Sequence, residues 1–552
     1  MRKLTWRAYL IFFVLIASLF VLFWRLIELS FMDRHFLLQQ SDARILRVVT
    51  IPAHRGMITD RTGAVLALSS PMYSAWINPH DFHPTFSQLH ALATDLQLSS
   101  PWIEKQTEKF SKKSFVYLKR QNTPDVKEKI DALKIPGVHF EIQYQRFYPE
   151  GEVTAHVLGM TNVDDQGQEG LELAYNTWLG GTNGKNEVLK DRLGHVIADV
   201  ALLKQPKPGR DLMLSMDHRI QYLAYRALKE QVQQMGAKSG SIVVLNPKTG
   251  EILAMANQPS YNPNGRITEE NGDFRNRAVT DSFEPGSTMK PFTIALALES
   301  GQYKPTSLVD THPGYMHIGG YDIRDDFRDN GIINLQRILQ VSSNVGAAKI
   351  LLSLSPDKFW TLLSKMGFGD RTSSGFPGES AGRFLSHPVW YSSDVATLAY
   401  GYGIAVTALQ LARAYAILAC DGIRKPISFL KLDSVPAGHR VMGKKVANEV
   451  VEMLETVIQK GGTGTLAAVP GYHVAGKTGT AYIAGANGYD KKKYVASFVG
   501  MAPVNDPQLV IAVVIRDPQV KHFGGAVSAP VFSTVMAGAL RILNVAPDDL
   551  KT

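Results

Sequence analysis

The sequence predicts an α/β (α+β) protein: a five-stranded sheet flanked by helices, preceded by an N-terminal module of mixed short strands and by one membrane helix. Three observations predict it. An apolar run from Ala8 to Trp24, extended by Leu26, Ile27 and Leu29, has roughly the ~20 residues needed to cross a bilayer. A helix-periodic segment from Asp217 to Met235 leads into two β-rich runs. Three further strand-like runs and an apolar helix close the 552-residue chain.

Taking the elements in order, Arg2, Lys3 and Arg7 precede the apolar run, so the positive-inside rule leaves residues 1–7 in the cytoplasm and sends the rest across. A cleaved signal peptide is the competing reading. The run passes into Arg25, Glu28 and bulky residues with no small-x-small cleavage site, which favours an uncleaved anchor over 8–29. Residues 30–50 read as a juxtamembrane linker, and 51–215 as short strands and loops without catalytic character. His80, His83 and His90 fall there in a loop-like stretch without paired carboxylates or cysteines, so no metal site is expected.

From 216 to 552 the patterns strengthen. Asp217 caps an amphipathic helix that Gly236 stops. Ile242–Leu245 and Ile252–Met255 flank Lys248-Thr-Gly250, which reads as a hairpin turn. Pro291 fits only the first turn of a helix, so a largely apolar helix opens close to Ser287 and ends near Gly301. Strands are expected at Lys477–Ile483, Tyr494–Ala502 and Leu509–Ile515, the first two joined at Asn487-Gly488, and the last buried on both faces. A helix from about Ala529 to Leu543 covers the sheet.

Composition bounds the partners. With 45% hydrophobic residues, the chain can bury at least one large core and form two or three domains. The net charge of +9 is spread along the chain; it suits anionic membranes or lipid-linked anionic substrates and argues against nucleic acid. The single cysteine, Cys420, excludes an intrachain disulfide and is expected as a small core residue.

Ser287-Thr-Met-Lys290 puts a hydroxyl and an amine one helical turn apart, where the amine can take the hydroxyl's proton. The positive end of the helix dipole disfavours an ammonium there. Two other Ser-x-x-Lys patterns exist. Ser355-Pro-Asp-Lys358 reads as a helix cap followed by proline, and Ser428-Phe-Leu-Lys431 as part of a short strand. Serine acyl-transferases of the penicillin-binding and β-lactamase kind combine Ser-x-x-Lys with a later Ser-x-Asn and a last Lys-Thr-Gly. Decoys occur at Ser260-Tyr-Asn262 and at Lys248-Thr-Gly250, yet only Ser287, Ser342-Ser-Asn344 and Lys477-Thr-Gly479 stand in that order.

With these motifs in order, the chain resembles the class B penicillin-binding proteins, most closely the division-specific type. The likeness includes Glu284-Pro-Gly-Ser-Thr-Met-Lys-Pro291, Gly401-Tyr-Gly403 with Thr407 and Gln410, Gly476-Lys-Thr-Gly-Thr480 and Gly524-Gly-Ala-Val-Ser-Ala-Pro530. Farther upstream it includes Arg55-Gly-Met-Ile-Thr-Asp-Arg-Thr-Gly63, Arg146-Phe-Tyr-Pro149 and Glu169-Gly-Leu-Glu172, with His54 where the family usually has proline. The resemblance implies a pedestal or dimerisation domain over 51–215, a transpeptidase domain over 216–552, and a bacterial inner-membrane protein with its catalytic domain in the periplasm. It implies Ser287 as nucleophile, Lys290 as base, Ser342 as the hydroxyl that relays the proton to the leaving amine, and Lys477 as positive charge near Ser342. Asn344, Thr478, Gly479 and Thr480 would bind substrate, and the backbone N–H groups of Ser287 and Thr480 would form the oxyanion hole. Expected partners are peptidoglycan stem peptides on a lipid-linked precursor, β-lactams, and other division proteins including a polymerising glycosyltransferase. No cofactor is expected.

Rival readings differ in what they require. Gly471-Tyr-His-Val-Ala-Gly-Lys-Thr478 fits a phosphate-binding loop by letter, but such a loop opens a helix, and Gly479-Thr-Ala-Tyr-Ile483 is strand-like. A β-lactamase would need a water-activating glutamate that has no clear equivalent here. An elongation-type transpeptidase, or a β-lactam sensor or inactive scaffold, remains the alternative.

Overall fold

The computed structural model describes the whole chain except residues 1–5, 33, 35–45, 191–195, 266–273, 327–328, 386–388, 486–487 and 550–552. Arg2, Lys3, Asn487 and most of the expected linker lie outside the described residues. The N-terminal apolar helix runs Trp6–Ile27 and continues as a π-helical turn, Glu28–Met32. None of its side chains is buried, its mean hydropathy is 2.6, and it is long and apolar enough to cross a membrane.

Two compact units follow from the packing. One comprises residues 1–55, 70–145 and 180–209; the other 56–69, 146–179 and 210–552. In the first, strands Leu46–Ile51, Gly184–Lys190 and Val196–Lys204 form an antiparallel sheet. Three helices, Phe86–Asp95, Ser100–Lys109 and Pro124–Ala132, bury Leu92, Ile103 and Ile130 in a separate core with Ala75 and Ile77. His54 lies in this unit, its ring set edge-on to Tyr144 at 5.1 Å between centroids.

In the second unit the five strands take the order Ile252–Gln258, Ser239–Leu245, Leu509–Arg516, Gly488–Ala502, Ala475–Gly485, all antiparallel. Successive strand residues point to opposite faces. Ile242, Val244, Ile511 and Val513 join one core with helices His218–Gln234 and Ala529–Ile542. Val243, Leu245, Val510 and Ala512 join the other, with helices Lys290–Glu299 and Ala408–Ala419. Both faces are covered, which is why these strands read as unbroken apolar runs. Asp217 accepts from the Arg219 amide at the start of the first helix, and Gly236 follows its end with φ of 58°. Gly250 makes the Lys248-Thr-Gly turn at φ of 80°.

Two expectations need correction. Ser428–Lys431 contributes only isolated bridges, Glu251 to Ser428 and Leu214 to Leu430, because the segment meets its neighbours one residue at a time. Cys420 is the C-cap of helix Ala408–Ala419 and is half-buried, because the helix stops there and the residue leaves the packed face. Ser355 caps helix Pro356–Met366 as expected.

Within this unit, segments 56–69 and 146–179 are tied to each other through buried charge. Arg146 donates from Nε to Glu172 at 2.6 Å and from Nη1 to the Gly56 carbonyl and the Ser69 hydroxyl. The two charged side chains are 1% and 0% exposed. The Arg-Phe-Tyr-Pro and Glu-Gly-Leu-Glu motifs are therefore a structural clasp.

Candidate active site

Ser287 lies in a 3-10 turn, Gly286–Met289, that runs directly into helix Lys290–Glu299. The turn is fastened from outside: the Tyr415 hydroxyl donates to the Thr288 carbonyl, and Gly286 N–H to the Gly401 carbonyl. Lys290 follows with its side chain wholly buried. Its Nζ is 3.0 Å from Ser287 Oγ, 3.0 Å from Ser342 Oγ and 2.7 Å from Asn344 Oδ1, and it also bonds the Ser342 carbonyl.

Ser342 and Asn344 arrive on a break between two helices. Helix Leu335–Val341 ends with Ser342 in the left-handed region, φ 61° and ψ 41°. The Ser343 hydroxyl then caps helix Asn344–Leu352 by accepting from Gly346 N–H. A left-handed serine is strained unless its surroundings hold it. Asp325 does so. One of its oxygens accepts from the Asn344 and Val345 amides at 2.6 and 2.9 Å, and the other from the Ser343 hydroxyl at 2.7 Å. Asn344 Nδ2 donates to the Arg324 carbonyl, which can only accept, so Asn344 Oδ1 must face Lys290. Sequence reasoning missed Asp325; a lone acid in a loop carries no periodic signal.

The third side is the edge strand Ala475–Gly485. Lys477, also wholly buried, reaches Ser342 Oγ at 3.0 Å and the Thr478 carbonyl at 3.2 Å. Ser342 Oγ thus bridges two amines. The Thr478 hydroxyl is 2.8 Å from that of Thr463, a residue the sequence did not single out, and Thr480 Oγ1 accepts from Gly524 N–H. Ser287, Ser342, Asn344, Thr463, Thr478 and Thr480 all line one cleft of about 1200 Å³. Gly479 packs beneath it: a Cβ there would meet Ser497 Oγ at 2.3 Å and Thr288 Cγ2 at 2.8 Å. Glu284 accepts from Gly403 N–H and the Tyr489 hydroxyl on the aromatic side of the cleft.

Burial sets the charge state. It pushes Lys290 down to about 7 from the ordinary 10.5, against the opposing carboxylates of Asp325 and Asp326. Lys477 falls well below its ordinary value through burial and then through the nearby Lys290 amine, opposed by Asp326. Hydrogen-bond accounting agrees. Of the four oxygens around Lys290 Nζ, two are carbonyl-type and can only accept. A neutral amine can give them its two protons and offer its one lone pair to the Ser287 hydroxyl.

Among the described residues one group, Asp60, Asp217 and His218, has metal-like spacing. Its donors are already engaged. Asp60 accepts from His218 N–H and Nδ1 and from the Thr62 and Ala64 amides, while Asp217 binds Arg219 bidentately. Burial opposes the Asp60 charge, but the bonds from His218 and Thr62 outweigh it and hold the carboxyl at about 2. The phosphate-loop reading fails because Lys477-Thr478 sits inside a strand.

The penicillin binding protein transpeptidase domain family matches residues 240–537, and the penicillin-binding protein dimerisation domain family residues 50–214. The chain is 43% identical over 545 residues to a probable peptidoglycan D,D-transpeptidase PbpC of Pseudomonas aeruginosa, covering 98% of this chain and 96% of that one. It is 40% identical over 555 residues to the peptidoglycan D,D-transpeptidase FtsI of Escherichia coli, covering 100% and 94%. Among solved structures it is similar to a peptidoglycan synthetase from Bifidobacterium adolescentis, with a TM-score of 0.73 at 26% identity over 92% of this chain and 98% of that one. It is also similar to the TP domain of penicillin-binding protein 3 from Burkholderia pseudomallei, with a TM-score of 0.56 at 43% identity over 61% and 97%. The chain therefore belongs to the penicillin-binding protein transpeptidase family, as a class B member of the FtsI type.

Proposed function

We propose that the protein is a serine-type peptidoglycan D,D-transpeptidase that cross-links stem peptides at the division septum and is acylated by β-lactams at Ser287. The observation that carries this reading is the buried Lys290 amine, 3.0 Å from Ser287 Oγ. Ser287 Oγ attacks the carbonyl carbon of the penultimate D-alanine, and Lys290 takes its proton. The oxyanion is met by the backbone N–H groups of Ser287 and Thr480, at roughly 3 kcal/mol per donor. As the C–N bond breaks, the proton passes from Lys290 through the Ser342 hydroxyl to the departing D-alanine amine. Lys290 is then neutral again. The amine of a second stem peptide attacks the ester, its proton returns by the same route, and Ser287 is released.

Thr478 and Thr480 bind the donor's terminal carboxylate, whose charge favours the protonated form of the buried Lys477 and so lets it supply positive potential, and Asn344 and Gly479 meet the peptide backbone. The transpeptidase domain spans 216–552 and the pedestal or dimerisation domain 51–215. A single helix over 8–29, with residues 1–7 cytoplasmic, anchors the chain in the inner membrane and leaves the catalytic domain periplasmic. Other division proteins, among them a polymerising glycosyltransferase, supply and share the substrate. The septal role draws on the FtsI name of the relatives. Labelling with a fluorescent penicillin tests the chemistry: one covalent adduct is expected on the wild type and none on Ser287→Ala, and equal labelling of both would refute it. Depletion in cells is expected to give filaments; round cells would point to elongation.

A further inference from the structure

Thr463 has no part in the steps above, yet its hydroxyl pairs with that of Thr478 at the wall of the cleft where the donor's carboxylate would bind. The two oxygens are 2.8 Å apart, and both residues line the cleft. Thr463 is held from two sides. Its N–H donates to the Gln340 carbonyl, just before Ser342, and its own carbonyl lies where a Cβ on Gly525 would stand, at 2.2 Å. The loop carrying it, Gly461-Gly-Thr-Gly464, is built for close approach: a Cβ at Gly462 would meet the Val457 carbonyl at 2.2 Å, and one at Gly464 the Phe498 ring at 3.1 Å.

A threonine hydroxyl has one proton to give and two lone pairs. Two hydroxyls joined to each other therefore spend one proton on their own bond and keep one for a ligand. A carboxylate accepts only, so it draws the remaining proton toward itself. The Lys477 amine, 3.3 Å from Thr478 Oγ1, is a further donor to that oxygen. With Thr463 donating to it, Thr478 keeps its own proton available for a carboxylate in the cleft.

We propose that Thr463 is a positioning residue for carboxylate recognition: it donates to Thr478 and thereby orients the Thr478 hydroxyl proton toward the substrate's terminal carboxylate. The inference rests on the acyl-transfer reading of the site. It applies to anionic donors and β-lactams alike, and it separates compounds that carry a carboxylate from those that do not.

The test compares second-order acylation of the full chain by benzylpenicillin and by its neutral methyl ester, for the wild type, Thr463→Val and Thr463→Ser. Valine keeps the shape and removes the donor; serine restores the donor. The expected result is a loss of about fivefold with benzylpenicillin for Thr463→Val, the size of one neutral hydrogen bond. The ester rate is expected to stay within about twofold, and Thr463→Ser to recover most of the acid rate. An equal loss on both compounds would mean a structural role and overturn the proposal, as would no loss on either. Should valine prevent folding, judged by the melting transition, Thr463→Ala carries the same comparison. Failure of the wild type to be acylated by either compound would refute the acyl-transfer reading itself, and the relay with it.

Discussion

Acylation should follow the titration of Lys290. Only the neutral amine can accept the Ser287 proton, and burial brings that lysine from 10.5 to about 7. At pH 7 the neutral fraction is about one half, against roughly one in three thousand for a lysine in water. The difference amounts to ~5 kcal/mol between the two protonation states. The perturbation is therefore pH itself, measured as the second-order rate of fluorescent penicillin acylation under single-turnover conditions. The rate is expected to fall about tenfold per unit below the midpoint near 7, and to level off above it. The sign follows from burial: the folded site disfavours the ammonium, so base is gained as pH rises. The same shift makes the folded state bind fewer protons than the unfolded chain between about 7 and 10.5, so this lysine's cost to stability is relieved as pH rises through that window. A flat profile, or a midpoint near the ordinary lysine value, would refute the assignment of Lys290 as the base.

Two further substitutions test the framework around that lysine. Gly479→Ala places a methyl against Ser497 Oγ, Thr288 Cγ2 and the Pro285 carbonyl, all within 2.9 Å. It is expected to cost about 1–3 kcal/mol and to slow acylation by shifting the nucleophile turn, read from melting and labelling together; an unchanged melting temperature would show that the contact yields freely. Arg146→Ala removes the Nε donor 2.6 Å from the buried Glu172 carboxylate and is expected to cost about 1.5–3 kcal/mol, the size of one hydrogen bond to a charged group, measured by urea unfolding. A loss below 1 kcal/mol would show that water reaches the carboxylate.

The catalytic sheet was legible because both its faces are buried, so Leu509–Arg516 had to be apolar at every position from Leu509 to Ile515. Helix ends were legible where a side chain caps them, as at Asp217 and Ser355. The three-part site emerged from motif order, and the structure brings Ser287, Lys290, Ser342, Asn344 and Lys477 into direct contact. Asp325 and Thr463 escaped because they act from loops, through side-chain contacts 15 to 20 residues away in the chain. Periodicity says nothing about such contacts. Cys420 and Ser428–Lys431 misled for the opposite reason: their composition suited a core or a strand, but the neighbouring backbone ended or turned away.

The clasp of Arg146 and Glu172, with the Asp60 loop bound to His218, has a consequence for the order of synthesis. Asp60 leaves the ribosome 158 residues ahead of the His218 it must meet. At ~5–20 residues per second that is roughly ten to thirty seconds of waiting. Through that interval the loop holds a carboxylate without the His218 backbone N–H and ring nitrogen that will bond it, and then the helix, sheet and nucleophile turn must still be made. The catalytic unit therefore cannot close until the nascent chain has returned to its own beginning, and a cell that halts translation early is left with an anchored chain that has no site to acylate.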